Sequence, residues 1–253
     1  PMPNVPVTSD RENAPTVTVD LPSGTSAKVE IPVKGVTAGT VAVLVKADGT
    51  QEVLKDSLAT EKGITVTLSD GDTVKIVDNA KTFADVSDGY WAADAIDFTT
   101  SREIFAGTSD TTFAPGGTMT RAMIWTVLAR YEGTDTTATD GQNWYTPGRS
   151  WAMETGVSDG SDPNGTITRE QLAAMLYRYA VSSGVDVSVG ENTNILSYSD
   201  ASKVSEYAIA AMQWACGAGI ITGTTGDTLD PNGPATRAQT AVIFQRFCQA
   251  IAQ

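Results

Sequence analysis

The chain of 253 residues has no histidine, only two cysteines, no cluster of basic residues and no long apolar run. Without histidine, Ser-His-Asp and Cys-His nucleophilic catalysis, histidine-containing zinc sites and the commonest general base are excluded. The 17 basic residues against 30 acidic ones argue against a nucleic acid or an anionic membrane as the partner. No stretch approaches the roughly 18 apolar residues of a membrane span, so the sequence predicts no membrane insertion.

Cys216 and Cys248 lie on two successive predicted helices, and two interpretations of the pair stay open. A secreted chain could join them in a disulfide, or both could be small buried apolar residues. Neither interpretation assigns them a function. The chain begins at Pro1 without a positive segment followed by an apolar one, so we expect the export signal of a secreted protein to lie upstream.

The first third of the chain reads as short strands with alternating polarity. The predicted strands are Thr16–Leu21, Lys28–Val33, Val41–Lys46, Gln51–Lys55, Ile64–Leu68 and Val74–Val77. Asp48 and Gly49 between two apolar runs predict a tight hairpin. We therefore expect a small all-β, sandwich-like domain over residues 16–81. Residues 1–15 contain four prolines and are predicted to be a linker.

The rest of the chain repeats one frame three times without a gap. An aromatic residue is followed after seven residues by a second aromatic, after six more by a β-branched residue and after three more by glycine. The three sets are Trp91, Phe98, Ile104 and Gly107; Trp144, Trp151, Val157 and Gly160; and Tyr207, Trp214, Ile220 and Gly223. None of these copies is large enough to bury its own apolar face, which predicts one stacked, mainly α structure. The predicted copies span residues 82–135, 136–182 and 198–253, with a connecting loop over 183–197.

Each copy contains two predicted helices, and the second begins at a Thr-Arg pair. The pairs are Thr120-Arg121, Thr168-Arg169 and Thr236-Arg237. Threonine is a good N-cap, and Gln171 and Gln239 complete a capping box in two copies. Capping does not explain arginine at the first helical position, where a cation faces the positive end of the helix dipole and costs a few tenths to about 1 kcal/mol. Three such arginines in register indicate a ligand, and a guanidinium beside free helix amides suits a carboxylate.

Further residues of the frame suit recognition of a sugar. Aromatic faces stack on C–H surfaces, and glycine permits close approach of the backbone. Trp91, Trp144, Tyr207, Gly107, Gly160 and Gly223 are therefore candidate ligand-binding residues, whereas Phe98, Trp151 and Trp214 are predicted core residues. Asp85 and Asp200 could hold a sugar hydroxyl or cap the first helix of their copies, and capping is favoured.

The region from Phe83 onward resembles three tandem S-layer homology domains. The resemblance rests on Phe83-Ala84-Asp85-Val86 and Tyr198-Ser199-Asp200, on the segments 151–157 and 219–223, and on the three Thr-Arg pairs. It implies a pseudo-threefold arrangement in which the second helices meet centrally and grooves form between neighbouring repeats. It also implies binding to secondary cell-wall polysaccharide of the bacterial envelope, often through a pyruvate ketal on N-acetylmannosamine. Here no copy keeps the family's acidic residue after Thr-Arg-Ala, and the second copy has a loop of eight residues where the others have thirteen.

The leading hypothesis is a non-catalytic, extracellular module that anchors a polypeptide to the bacterial cell wall. The alternative is a protein-protein interaction module that assembles a surface lattice. An enzyme with paired carboxylates from Glu103, Glu154 and Glu170 is disfavoured, because these acids occupy no common position of the frame. The sequence predicts no cofactor and no metal site. The segment around Asp159 fails as a calcium-binding EF-hand loop, because Gly160 stands where a loop counted back from Gly165 requires its first aspartate.

Overall fold

The structure is a computed structural model that describes residues 4–224 and 227–252. It contains both sheets and helices, and it divides into two compact units, Pro1–Phe113 and Ala114–Gln253.

From residue 4 onward, the first unit contains seven strands in two antiparallel sheets. The strands are β1 (Thr16–Thr18), β2 (Ser26–Pro32), β3 (Thr40–Val45), β4 (Gln51–Val53), β5 (Leu58–Ala59), β6 (Gly63–Ser69) and β7 (Thr73–Asp78). One sheet has the order β1-β7-β3-β4 and the other β2-β6-β5. All six predicted strands are present, and β5 is an additional two-residue strand. The predicted hairpin joins β3 to β4, with Gly49 at φ 84°.

Both sheets of the first unit contribute to one apolar core. One cluster of buried apolar residues contains Ala42, Val74 and Ile76 from one sheet and Ile31 and Ile64 from the other, and all five side chains are fully buried. Inward-facing β-branched residues at every second position of a strand produce such a core.

Residues 4–15 pack against this core, so the prediction of a linker over residues 1–15 is corrected for the part that the structure describes. Val5 is 3% exposed and joins the core, and its amide donates to the carbonyl of Pro32. The buried ammonium of Lys75 donates to the carbonyls of Arg11 and Glu12 at 2.7 and 2.8 Å. The prolines of this segment restrict its backbone conformation and do not mark a free linker.

Helix α1 (Ala93–Ser101) belongs to the first unit although the sequence assigns it to the first repeat. Arg102, at its end, is completely buried, and its guanidinium donates to the carbonyls of Ser57, Ala38 and Thr40 at 2.8–3.1 Å. It also stacks over the ring of Phe98 at 3.8 Å. The boundary at residue 82 therefore marks a change of secondary structure and not the edge of a compact unit.

The described part of the second unit contains five helices joined by loops and short 3-10 turns. The helices are α2 (Arg121–Tyr131), α3 (Thr146–Glu154), α4 (Arg169–Ser182), α5 (Ile209–Gly217) and α6 (Arg237–Ile251). Helices α2, α4 and α6 begin at the Thr-Arg pairs as predicted. Each threonine hydroxyl caps the third helical amide, and the predicted capping boxes are present at α4 and α6.

A closed ring of backbone hydrogen bonds joins the residues that precede these three threonines. Met119 donates to the carbonyl of Ala235 at 3.0 Å, Ala235 donates to Ile167 at 3.1 Å, and Ile167 donates back to Met119 at 2.9 Å. Each residue therefore gives one bond and receives one. The ring holds the starts of α2, α4 and α6 together.

The side chains along these helices form the core of the second unit. Tyr131, Tyr179 and Phe247 occupy one position of the repeated frame, and their ring centroids lie 5.8–6.3 Å apart. Trp151 and Trp214 are 7% and 2% exposed, which confirms their prediction as core residues, as does the 3% exposure of Phe98 in the first unit.

Both cysteines are thiols in the structure. Cys248 is buried in α6, and burial raises the pKa of Cys216 to about 11. No helix within residues 4–224 and 227–252 has the length and apolar character required to cross a membrane.

Candidate functional site

The first amides of the Thr-Arg helices are already occupied by protein carbonyls. Arg121 and Ala122 donate to the carbonyls of Gly165 and Pro163 in the loop before α4, each at 3.0 Å. The first two amides of α4 and of α6 donate in the same way to residues 233 and 231 and to residues 117 and 115, and the threonine hydroxyls take the third amides. The expectation that free helix amides bind an anion is therefore wrong, and anion binding at these helices has to come from side chains.

Arg121 reaches from the start of α2 to the loop that follows α3. Its Nε donates to the carbonyl of Ser161 at 2.8 Å, and its Nη2 donates to Asp159 Oδ1 at 2.9 Å and to Ser158 Oγ at 3.3 Å. The Arg121 side chain retains 16% of its accessible surface and the Asp159 side chain 71%. The ion pair therefore lies at the edge of a depression and not inside the core.

A second guanidinium lies next to the first. Arg178, on the exposed side of α4, donates from Nη1 to the carbonyl of Val157 at 3.3 Å. Because Val157 and Ser158 are adjacent in the chain, Arg121 and Arg178 converge on the same turn. Two cationic forks near one opening favour an anionic group on the ligand.

Tyr207 contributes the aromatic surface. Its residue is 54% exposed, and its hydroxyl donates to Glu170 Oε1 at 3.1 Å. The buried carboxylate of Glu170 also accepts from the amide and the hydroxyl of Ser205 at 2.9 and 2.7 Å. Burial, followed by the charge and the hydrogen bond of Glu170, raises the pKa of Tyr207 to about 12, so the phenol stays neutral at physiological pH.

These residues line one groove of about 520 Å³ in the second unit, which we call the Arg121 groove. Its lining residues are Arg121, Gly156, Ser158, Asp159, Gln171, Ala174, Met175, Arg178 and Tyr207. The two arginines supply positive charge, Tyr207 supplies a ring face, and Met175 supplies a small apolar floor. This combination suits a saccharide that carries an acidic substituent.

The same pairing of arginines occurs once more in the second unit. Arg169 donates from Nη2 to the carbonyl of Thr222 at 2.9 Å, and Arg246 donates from Nη1 to the hydroxyl of Thr222 at 3.2 Å. Arg169 is only 4% exposed, and its Nε donates to the carbonyl of Leu229 at 2.8 Å. Burial lowers the pKa of Arg169 from its ordinary value. Both of these bonds hold the segment of the chain that joins α5 to α6.

Asp85 and Asp200 have an internal role that the sequence does not indicate. Asp200 accepts from the amides of Leu229 and Asp230 at 2.7 and 2.8 Å, and Asp85 accepts from the amide of Phe113 at 2.8 Å. Burial opposes ionisation of Asp200, but these amides outweigh it and lower its pKa. The first helices of these copies, α1 and α5, have Ala92 and Ala208 at their N-caps and no side-chain capping bond, so capping, the favoured interpretation, is wrong for both aspartates.

The remaining predicted site residues do not all meet at one place. Trp91 and Trp144 are 62% and 50% exposed, so their faces are accessible, but neither lines the Arg121 groove. Arg237 is 8% exposed at the start of α6. Thr120, Thr168 and Thr236 cap their helices. Of the predicted residues, Arg121 and Tyr207 share the groove, and Gly160 follows Asp159 at its edge.

The glycines of the frame are explained in part by their own loops. A Cβ on Gly107 would lie 2.3 Å from the carbonyl of Ser109, so the loop itself excludes a side chain there. Gly160 has φ 69°, and its Cβ would lie 2.6 Å from the sulfur of Met153. Gly223 is partly buried. The first two glycines therefore stand where a side chain would be strained, whether or not a sugar approaches them.

Sequence reasoning missed Arg178, Asp159 and Gln171 as groove residues. The signal for Arg178 is present, because Arg130, Arg178 and Arg246 each lie ten residues after their Thr-Arg threonine. The partners of Arg178 and Arg246 lie 21 and 24 residues away along the chain, so the alignment alone does not identify the groove.

Two segments of the chain, residues 82–122 and 197–241, match the S-layer homology domain. Residues 136–182 lie outside both matches, and an organisation in three repeats stays a prediction. The chain is 32% identical over 177 residues to an amylopullulanase of Thermoanaerobacterium thermosulfurigenes, covering 65% of this chain and 9% of that enzyme. It is 30% identical over 197 residues to an endoglucanase of Bacillus sp. (strain KSM-635), covering 74% of this chain and 21% of that enzyme. An S-layer protein of Bacillus thuringiensis subsp. finitimus is 25% identical over 178 residues, covering 66% of this chain and 21% of that protein. The chain thus spans only a tenth to a fifth of the length of these relatives.

Proposed function

We propose that this chain is a non-catalytic module that attaches a polypeptide to the bacterial cell wall. It binds secondary cell-wall polysaccharide in grooves between its repeats, and the ligand carries a pyruvate ketal. The protein is extracellular and requires no cofactor for this role.

The observation that carries the proposal is the convergence of Arg121, Arg178 and Tyr207 on one groove. The guanidinium groups would bind the ketal carboxylate, and the ring of Tyr207 would cover a sugar face. A hydrogen-bonded contact between guanidinium and carboxylate is worth roughly 1.5 to 3 kcal/mol. Two grooves that bind one polymer would add avidity without a tight individual site.

The identity of the relatives supports an attachment role. Enzymes named for different substrates share this segment with S-layer proteins, while the aligned segment covers a small part of each. A property common to all of them is then separate from any one catalytic activity. Within the Arg121 groove, Asp159 is the one carboxylate among the described lining residues, so the groove offers no pair of acids for glycoside hydrolysis.

The proposal is tested by co-sedimentation of the full chain with protein-stripped bacterial walls. We expect retention on intact walls, and loss of retention once the pyruvate or the whole secondary polymer is removed. Arg178→Ala should weaken retention. Among residues 4–224 and 227–252 Arg178 makes only one long hydrogen bond, so its loss should preserve the fold. Loss of one such contact should lower groove affinity by roughly 10- to 100-fold.

Arg11→Ala is the matched control. It also removes one positive charge, but Arg11 pairs with Glu103 in the first unit and contributes nothing to the groove. Equal loss of retention in both variants would indicate a general charge effect and would contradict the proposal. Retention on walls freed of secondary polymer would favour the alternative, a protein-protein or lattice-assembly module.

A further inference from the structure

The Arg121 groove already contains a carboxylate of the protein. Asp159 Oδ1 lies 2.9 Å from Arg121 Nη2, and the same oxygen accepts from the amide and the hydroxyl of Ser161 at 3.0 and 2.8 Å. The bonds from the Ser161 amide and hydroxyl outweigh the opposing effect of burial, and with the charge of Arg121 they lower the pKa of Asp159 from its ordinary value. Asp159 is therefore ionised at neutral pH and occupies the guanidinium that an acidic ligand would use.

The position of Asp159 in the repeated frame differs in chemistry between copies. Counting back one residue from the frame glycine gives Ala106, Asp159 and Thr222 in the three copies. Thr222 also accepts from the Thr-Arg arginine of the preceding copy, but through its neutral carbonyl. The third copy thus presents a neutral contact where the second copy presents a charged one.

The ion pair is placed so that a ligand could compete for it. The Asp159 side chain is 71% exposed, and the recorded bonds of its carboxylate all involve Oδ1. An exposed pair of this kind contributes little to stability. Its effect on a ligand is larger, because an entering carboxylate has to displace Asp159 or accept a like charge beside it.

We infer that Asp159 is an internal counter-ion that sets the specificity of the Arg121 groove, an inference that rests on the proposed function. It lowers the affinity of this groove for acidic saccharides and leaves the affinity for neutral ones unchanged. Asp159 affects the choice of ligand through Arg121, and its ion pair contributes little to the stability of the fold.

The test compares the full chain with its Asp159→Asn variant, which keeps the oxygen that accepts from Ser161. The probes are a glycoside of N-acetylmannosamine with a pyruvate ketal and the same glycoside without it. Binding is followed through the ¹⁵N–¹H signal of Arg121 Nε, which reports on this groove alone. We expect the variant to bind the acidic probe roughly three- to tenfold more tightly and the neutral probe equally well.

Asp186→Asn is the matched control. Asp186 also accepts from the amide two residues further on, that of Ser188 at 2.8 Å, and its loss changes the net charge equally, but it lies outside the groove. The control should bind both probes as the unchanged chain does. An equal gain in the control, or no gain in Asp159→Asn, would overturn the inference.

The two proposals fail in different ways. If the unchanged chain is retained on intact walls but Asp159→Asn binds the acidic probe no better, only the inference is overturned. If the chain is not retained on walls and neither probe moves the Arg121 signal in any form, both proposals are overturned.

Discussion

The hydroxyl of Tyr207 donates a hydrogen bond to the carboxylate of Glu170 at 3.1 Å. Both residues depart from the repeated frame, and they depart together. Glu170 stands where the other copies have Ala122 and Ala238, and Tyr207 stands where they have tryptophan. A buried carboxylate requires donors, and a phenol beside it requires an acceptor, so each departure satisfies the other. The pair fixes the ring that faces the Arg121 groove.

Glu170→Ala should destabilise the protein by about 1 to 3 kcal/mol, because Ser205 and Tyr207 lose their acceptor. Urea denaturation measures the change, with the exposed Glu154→Ala as the control, for which we expect less than about 0.5 kcal/mol. A double-mutant cycle with Tyr207→Phe should give a coupling energy of about 0.5 to 1.5 kcal/mol. Equal effects of Glu170→Ala and Glu154→Ala would contradict the described geometry.

Stability should fall in alkaline solution because of Tyr207. Its folded-state pKa is raised to about 12, while an unfolded tyrosine titrates near 10. The stabilising contribution is complete below about pH 10 and is lost as the pH rises from about 10 to 12, because the unfolded state then releases a proton that the folded state keeps. Burial, followed by Glu132, raises the pKa of Tyr179 in the same direction.

Thermal melting across this alkaline range measures the loss. Tyr207→Phe removes a phenol whose pKa is raised, so the melting temperature of the variant should decline less steeply with pH. Absorbance of the phenolate follows the titration directly. If the melting temperatures of the unchanged chain and of Tyr207→Phe declined equally with pH, the pKa of Tyr207 would not be raised by folding.

The arginines on α4 should differ sharply in their effect on stability. Arg169→Met leaves the carbonyls of Leu229 and Thr222 without their donor in a buried place and should cost about 2 to 4 kcal/mol of unfolding free energy. Arg178→Met, on the exposed side of the same helix, should cost less than about 1 kcal/mol. Chemical denaturation of both variants compares them. Equal costs would indicate that Arg169 is free for a ligand, as the sequence alone suggests.

Arg102 should be the most sensitive cation of the first unit. Arg102→Met keeps the apolar stem but removes the donors to Ser57, Ala38 and Thr40, and it should cost about 3 kcal/mol. Arg11→Met breaks an exposed ion pair with Glu103 and should cost less than about 1 kcal/mol. Unfolding followed by circular dichroism separates the two. A mild effect of Arg102→Met would argue against α1 as part of the first compact unit.

Local features of the fold could be predicted from the sequence, whereas contacts between distant segments could not. Strand alternation in Ile64–Leu68 and the threonine caps are decided by neighbours in the chain, and both predictions are confirmed. The partner of Arg169 lies 60 residues away at Leu229, so its burial leaves no local trace. Val5 is one apolar residue among prolines, and its place in the core depends on strands that follow much later.

The candidate site divides along the same line. The exposure of Tyr207 and the register of Arg121 follow from the repeated frame, but the occupation of the helix amides by loops of another copy does not. The frame predicts which residues are equivalent. It does not predict which of them meet, because that depends on how the copies close on each other.

The bonds among Met119, Ile167 and Ala235 have a consequence for how such a protein can change in length. In an open array, a unit can be gained or lost at either end, and a terminal unit differs from an inner one. Here each of the three segments that precede α2, α4 and α6 has two neighbours, and none is terminal. Removal of one, or insertion of a fourth, would leave the circuit unclosed, with amides and carbonyls facing no counterpart. The number of segments in the circuit is thereby fixed at three by backbone geometry, and a larger number would require a second circuit.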